Sequence, residues 1–331
     1  MNKSLPLCLA LLALTLAPLA FSQKILDLIP LVDRPAFHSA VNPATGTLYV
    51  PMLTSNQLAV LDRSSGSITY VQLGLLPNAV AVNPKTNLVY VQATGDNGDA
   101  IYVIDGASNA VIDTISVTGS FGNAIAVNPV TNLIYFNSGP QLAIGVLDGA
   151  TNQIIATIQT VNQNAPADSI VVNPATNKVY VATTLNQSQP TVIAVIDGNT
   201  ETFSGLITVP TNWSGADLDV DWKFDRLYVA CGVDLFVLNG ATQEWIDTIA
   251  IYFVGPVAVN QKTHAIAVFS TDNPSNILYF LNGSTYAVTG QVSFASSELP
   301  YGLVADSSTN SYYVSISDNG KKGAVGIVSG P

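Results

Sequence analysis

Residues 82–91 read Val-Asn-Pro-Lys-Thr-Asn-Leu-Val-Tyr-Val, a tight polar turn followed at once by a β-branched and aromatic run. The block recurs as VNPATGTLYV from Val41, VNPVTNLIYF from Val127 and VNPATNKVYV from Val172. More degenerate copies follow: VDWKFDRLYV from Val220, VNQKTHAIAV from Val259 and ADSSTNSYYV from Ala305. Successive copies lie 39 to 48 residues apart, the length of four short strands with their turns. Each unit supplies four such runs: an apolar stretch ending at the block's first residue, the block's own Leu-Tyr-Val, a run such as Ile101–Gly106, and an alternating run such as Val111–Val117. The period is two throughout and no helical period persists, so the chain is all-β and its unit is a propeller blade.

The turn chemistry agrees. Asn or Asp in the second block position can accept bonds from the backbone two residues on. The sixth position holds Gly46, Asn87, Asn132, Asn177, Asp225, His264 and Asn310, the residue types that best tolerate a positive φ. A second turn repeats the same kind of chemistry with Asp105-Gly106, Asp148-Gly149, Asp197-Gly198, Asn239-Gly240 and Asn282-Gly283, and with Asp62-Arg63 as the variant. The seventh unit stops after its third strand, whereas Lys24–Ile29 is a spare strand before the first unit. Placing Ile25 to Ile29 on the edge of the last blade closes a ring of seven four-stranded antiparallel blades.

These repeats resemble the YVTN-type β-propeller repeats of exported bacterial and archaeal proteins, over nearly the whole chain after residue 22. The resemblance rests on the Asn-Pro-x-Thr-Asn-x-hydrophobic-Tyr-Val block, clear from Val82, Val127 and Val172 and degenerate from Val220, Val259 and Ala305. It implies a fold and leaves the activity open, since members of the wider superfamily resemble periplasmic binding proteins, surface-layer adhesion modules, a sugar lactonase and an antibiotic lyase.

Export is expected on other grounds. Lys3 precedes an apolar run from Leu5 to Leu19, and Ala20-Phe21-Ser22 places small residues around a cleavage point before Gln23. Residues 1–22 therefore read as a signal peptide and 23–331 as one domain, periplasmic or extracellular, with no membrane span and as a monomer. Cys231 is then the sole cysteine of the mature chain and reads as a buried small hydrophobe.

Composition narrows the partners. Only 10% of the 331 residues are charged, against about 25% in an ordinary soluble domain, and 11 Lys plus Arg face 22 Asp plus Glu for a net charge of -11. A cationic groove for nucleic acid is not available at that balance. A protein, a glycan or a small polar ligand remains, and no cofactor or metal is expected.

The repeated turns occupy one face of the ring, so the candidate ligand face is the other, with its irregular connections. Aligning the approaches to each first strand gives two columns near the channel mouth. One holds Phe37, Asn78, Asn123, Asp168, Ala216, Gly255 and Tyr301; the next holds His38, Ala79, Ala124, Ser169, Asp217, Pro256 and Gly302. From these, with Trp213 as a stacking aromatic, the expected ligand-binding set is Phe37, His38, Asn78, Asn123, Asp168, Trp213, Asp217 and Tyr301. Binding is favoured over catalysis. A hydrolase or lyase, lactonase-like or antibiotic-lyase-like, would have to work through His38 and Asp217, because few other titratable groups converge there.

Overall fold

A computed structural model of the chain describes residues 23–331 apart from 97, 118–123, 140–142, 161–166, 185–189, 272–275 and 319–321. Within it lie seven four-stranded sheets, all antiparallel, and six of them run in simple chain order from the innermost strand outward. The innermost strands are Ala40–Asn42, Leu76–Asn83, Ile125–Asn128, Ala167–Asn173, Asp217–Asp221, Val254–Val259 and Glu298–Asp306. The seventh blade is completed from the other end of the chain. Ile25–Pro30 pairs antiparallel with Lys322–Ser329 and forms its outermost strand, as the spare N-terminal run predicts.

The core is distributed around the ring. Seven clusters of buried apolar side chains are found among the described residues, and each straddles two adjacent blades. The block's tyrosine sits in these seams: Tyr49, Tyr90, Tyr135, Tyr180, Tyr228 and Tyr313 are almost fully buried. Burial pushes the Tyr90 hydroxyl pKa up to about 12, with Asp148 of the following blade adding to the rise.

All seven sixth-position residues have φ between 48° and 71°, as their residue types require. The second turn departs from the sequence reading. Its left-handed residue is not the glycine of Asp-Gly but the residue four after the Asp or Asn: Asn109, Asn152, Glu201, Gln243 and Tyr286, with Gly66 in the first blade. The glycine is needed for close approach instead. A Cβ on Gly106 would lie 2.6 Å from Asn87 Oδ1, one on Gly198 2.6 Å from Asn177 Oδ1, and one on Gly149 2.7 Å from both Asn132 Oδ1 and the Tyr90 hydroxyl.

That approach exposes how the blades are latched. The second block residue of each blade bonds the sixth block residue of the next. Asn42 Nδ2 donates to Asn87 Oδ1 at 2.7 Å, Asn83 to Asn132 at 2.6 Å, Asn128 to Asn177 at 2.7 Å, Asn173 to Asp225 at 2.7 Å and Asn260 to Asn310 at 2.9 Å. Where the second residue becomes Asp221, an acceptor only, the sixth becomes His264, whose Nδ1–H donates at 2.9 Å. At the ring closure the second residue is Asp306 and the sixth is Gly46, which has no side chain. The donor there is Arg63, standing where other blades have glycine, with Nη1 3.2 Å from Asp306 Oδ2. The degenerate copies are thus compensated pairs rather than decayed ones.

Candidate functional site

The seven inner strands enclose a cavity of about 430 Å³ along the ring axis, floored on the turn face by Pro43, Pro84, Pro129, Trp222, Gln261 and Ser307. On the opposite face a second cavity of about 370 Å³ opens at the channel mouth, lined among others by Phe37, His38, Asp168, Asp217, Pro256 and Tyr301. His38 and Asp217 line both cavities and so mark the neck between them.

Five of the eight expected residues therefore meet: Phe37, His38, Asp168, Asp217 and Tyr301. Asn78 does not line the mouth cavity; its amide donates to Thr94 Oγ1 at 3.0 Å in its own blade. Trp213 lies beside the cavity rather than on its wall, packed on Gly232 and 6.1 Å from the Phe253 ring. Asn123 falls outside the described residues.

The groups at the neck are held by bonds that limit their chemistry. His38 Nε2–H donates to the Asp168 carbonyl at 3.1 Å, leaving Nδ1 4.0 Å from Asp217 Oδ1 and beyond hydrogen-bond reach. Asp217 accepts from the Ser169 hydroxyl at 3.1 Å and, from the next blade, from the Val257 amide at 3.0 Å. Both of its oxygens are thus structural, tying three blades together. Asp168 is different: among the described residues its carboxylate has only a long 3.4 Å contact from Thr184 Oγ1, and the residue lines the cavity. Burial raises its pKa to about 6, partly offset by Thr184 and His38. Opposite it, the Phe37 and Tyr301 rings pack at 5.6 Å, with the Arg34 guanidinium 5.8 Å from the Tyr301 centroid.

Sequence reasoning missed Asp219. The Asp217-Leu218-Asp219 alternation was the available signal, because period two places both carboxylates on the channel side of one strand. Asp219 accepts the Val259 and Val220 amides at 2.7 Å each. Burial raises its pKa to about 7, with Asp217 and Asp221 adding like-charge repulsion to a desolvation that the two amides only partly offset. Protein surrounds it, yet the side chain keeps a narrow opening onto the channel. A measurable consequence follows. Both carboxyls have native pKa values above the unfolded value near 3.8, so the native state binds more protons between pH 4 and 7 and stability falls as pH rises through that window. The loss assigned to Asp219 is of the order of 2 kcal/mol, discounted for its opening to water. Asp219→Asn keeps an acceptor for Val259 and removes the charge, so denaturant midpoints measured from pH 5 to 8 should flatten. An unchanged slope would refute the assignment.

Cys231 is buried beneath this face, its thiol 3.1 Å from the Gly215 carbonyl, and burial raises its pKa. Among the described residues no three His, Cys, Asp or Glu side chains gather as a metal site would require, and no helix is long and apolar enough to cross a membrane.

No family model and no curated protein matches the chain. Among solved structures, a chain of Kuenenia stuttgartiensis hydrazine synthase superposes with a TM-score of 0.73 at 13% identity, covering 90% of this chain and 97% of its own. Likeness at that identity shows the fold alone. Since 1532 solved chains match, the architecture by itself does not select an activity.

Proposed function

We propose that the protein is an exported binding module, periplasmic or extracellular, that takes its ligand at the channel mouth on the irregular-loop face. The observation that carries this reading is the mouth cavity of about 370 Å³, where a desolvated carboxylate at Asp168 faces an aromatic pair at Phe37 and Tyr301. Concave sites with apolar walls and a few convergent polar groups are where small ligands bind. The resemblance of the repeats to the YVTN type, whose members are exported, supports the same localisation.

A hydrolase or lyase is the second reading, favoured by the approach of His38 to Asp217 at 4.0 Å. It is the weaker one. The Nε2–H bond to a backbone carbonyl leaves His38 Nδ1 free as a base, but both Asp217 oxygens are held by Ser169 and Val257, and among the described residues no cationic side chain lines the mouth cavity to stabilise developing negative charge. Nucleic acid is disfavoured as a ligand, because among the described residues no Lys or Arg lines the mouth cavity.

Thermal-shift screening with sugars, peptides, metal ions, lactones and an oligonucleotide separates these readings. The expected result is stabilisation by a sugar or peptide that disappears in Asp168→Asn, with no shift from the oligonucleotide. Turnover of a lactone that is abolished in folded His38→Ala would replace binding by catalysis.

A further inference from the structure

Beside the mouth cavity lies a second feature that the fold does not require. Trp213, Tyr252 and Phe253 form a row of rings on the same face, with centroid steps of 6.1 Å from Trp213 to Phe253 and 5.6 Å from Phe253 to Tyr252. All three are large and open to solvent: Tyr252 is 64% exposed, Trp213 46% and Phe253 43%. Soluble proteins rarely gather exposed aromatics in this way without a use for them.

The row is fixed in place by its backbone. The Tyr252 carbonyl accepts the Ser270 hydroxyl, the Phe253 carbonyl accepts the Thr271 amide at 3.0 Å, and the Val254 amide donates to the Gly232 carbonyl at 2.8 Å. Phe253 has φ of 47°, a conformation that bulky L residues adopt only where surrounding structure imposes it. Glycine at this position would remove the strain, and the chain retains phenylalanine. Trp213 is seated as firmly: its carbonyl accepts Thr191 Oγ1 at 3.2 Å, and its ring lies so close to Gly232 that a Cβ there would come within 2.2 Å of Cγ. Aromatic groups held this rigidly lose little entropy on binding.

The row is continuous with the mouth cavity. Gly215 and Val254, two residues after Trp213 and one after Phe253, are part of the cavity wall. An extended ligand lying across the rings would therefore end beside Asp168.

We infer that this face takes a neutral oligosaccharide, its chain lying along the row with sugar units against the Trp213 and Tyr252 rings, to which the Phe253 ring is steeply inclined at 81° and 67°, and its end unit entering the mouth cavity between Asp168 and the Phe37–Tyr301 pair. The inference rests on the channel-mouth reading above and names its ligand class. Three features select it. The apolar C–H face of a pyranose suits the electron-rich face of an aromatic ring, as cations do. Asp168 offers acceptor oxygens for which sugar hydroxyls are donors, whereas a purely apolar segment would bury that carboxyl without a partner. Among the described residues no Lys or Arg lines the cavity, and the Arg34 guanidinium lies over the Tyr301 ring, so a uronate or sulfated chain would meet the Asp168 and Asp217 carboxylates with no cationic group on the wall.

The test is calorimetry and tryptophan fluorescence of the purified protein with cellohexaose, xylohexaose, laminarihexaose, maltohexaose and chitohexaose. At least one should bind saturably, with Trp213→Ala and Tyr252→Ala each weakening it about tenfold and Asp168→Asn at least as much. Tyr252→Ala removes an exposed ring whose backbone carbonyl makes the local bond, so it carries the same expectation if Trp213→Ala lowers the melting temperature. Failure of all five sugars to bind overturns the inference, and so does binding that both ring variants leave unchanged. The two readings fail separately. A peptide or amine whose affinity falls in Asp168→Asn would remove the glycan and leave the mouth site standing, whereas ligand binding indifferent to both Asp168→Asn and His38→Ala would remove both.

Discussion

Deleting residues 23–30 is expected to convert a cooperatively unfolding protein into an aggregating species with a melting temperature lowered by about five degrees, on the order of 3 kcal/mol for a chain of this size. The deleted strand buries little of itself, since Ile25, Leu26 and Leu28 are all at least one-third exposed. Its contribution is to the partner. It covers the Lys322–Ser329 strand, pairing from Ile25 with Val328 to Pro30 with Ala324. Val325 and Val328 on that strand are fully buried, and Ile29 packs into the seam of Leu31, Leu48, Val50, Met52, Tyr313 and Val325. Without the strand the last blade has three strands, and the only seam that joins the two ends of the chain loses an apolar residue and its cover. A bare, apolar-backed edge is a template for pairing with another chain. Differential scanning calorimetry and light scattering check this. A truncated protein that melts like the parent and does not aggregate would show that the ring is closed by the seam alone.

How far the fold was legible depended on whether the relevant chemistry was local. Left-handed turns at Asn87 or Asn132 were readable because the residue type and the φ belong to one position. The closing strand was readable because one unit lacked a strand and the chain had one to spare. The latches were not, because Asn83 and Asn132 belong to different units and neither residue type reveals which distant amide it meets. Glycine after Asp in the second turn was misread for the same reason: its cause is the Asn87 side chain of another turn, not its own φ. At the site, column alignment brought Phe37, His38, Asp168, Asp217 and Tyr301 together, since a ring converts equal sequence offsets into shared height. It failed for Asn78, whose side chain turns to Thr94 within its own blade. It was silent on Tyr252 and Phe253, which lie in a connection of irregular length where no offset is shared.

The seam between the last and first blades supplies the second large effect. Removing Arg63 should cost about 2–3 kcal/mol, because Asp306 is fully buried and would lose its charged donor. Asp306 keeps the Ser308 amide and hydroxyl and the Thr309 hydroxyl, which hold its own turn but carry no positive charge. Arg63 is about one-third exposed, which places the cost below that of a fully buried pair. The stronger test is an exchange. In three other blades the sixth block residue is Asn and the second turn carries glycine, so Gly46→Asn, Arg63→Gly and Asp306→Asn together rebuild at this seam the latch seen between Asn83 and Asn132. The triple variant should recover most of the stability that Arg63→Ala loses, although Arg63→Gly alone should lose at least as much as Arg63→Ala, and the cycle should be strongly non-additive. Additive losses in urea melts, with the triple variant the least stable, would mean that the Arg63–Asp306 contact does not latch the ring and that the Asp62-Arg63 turn departs from the other blades for a reason unconnected with Gly46.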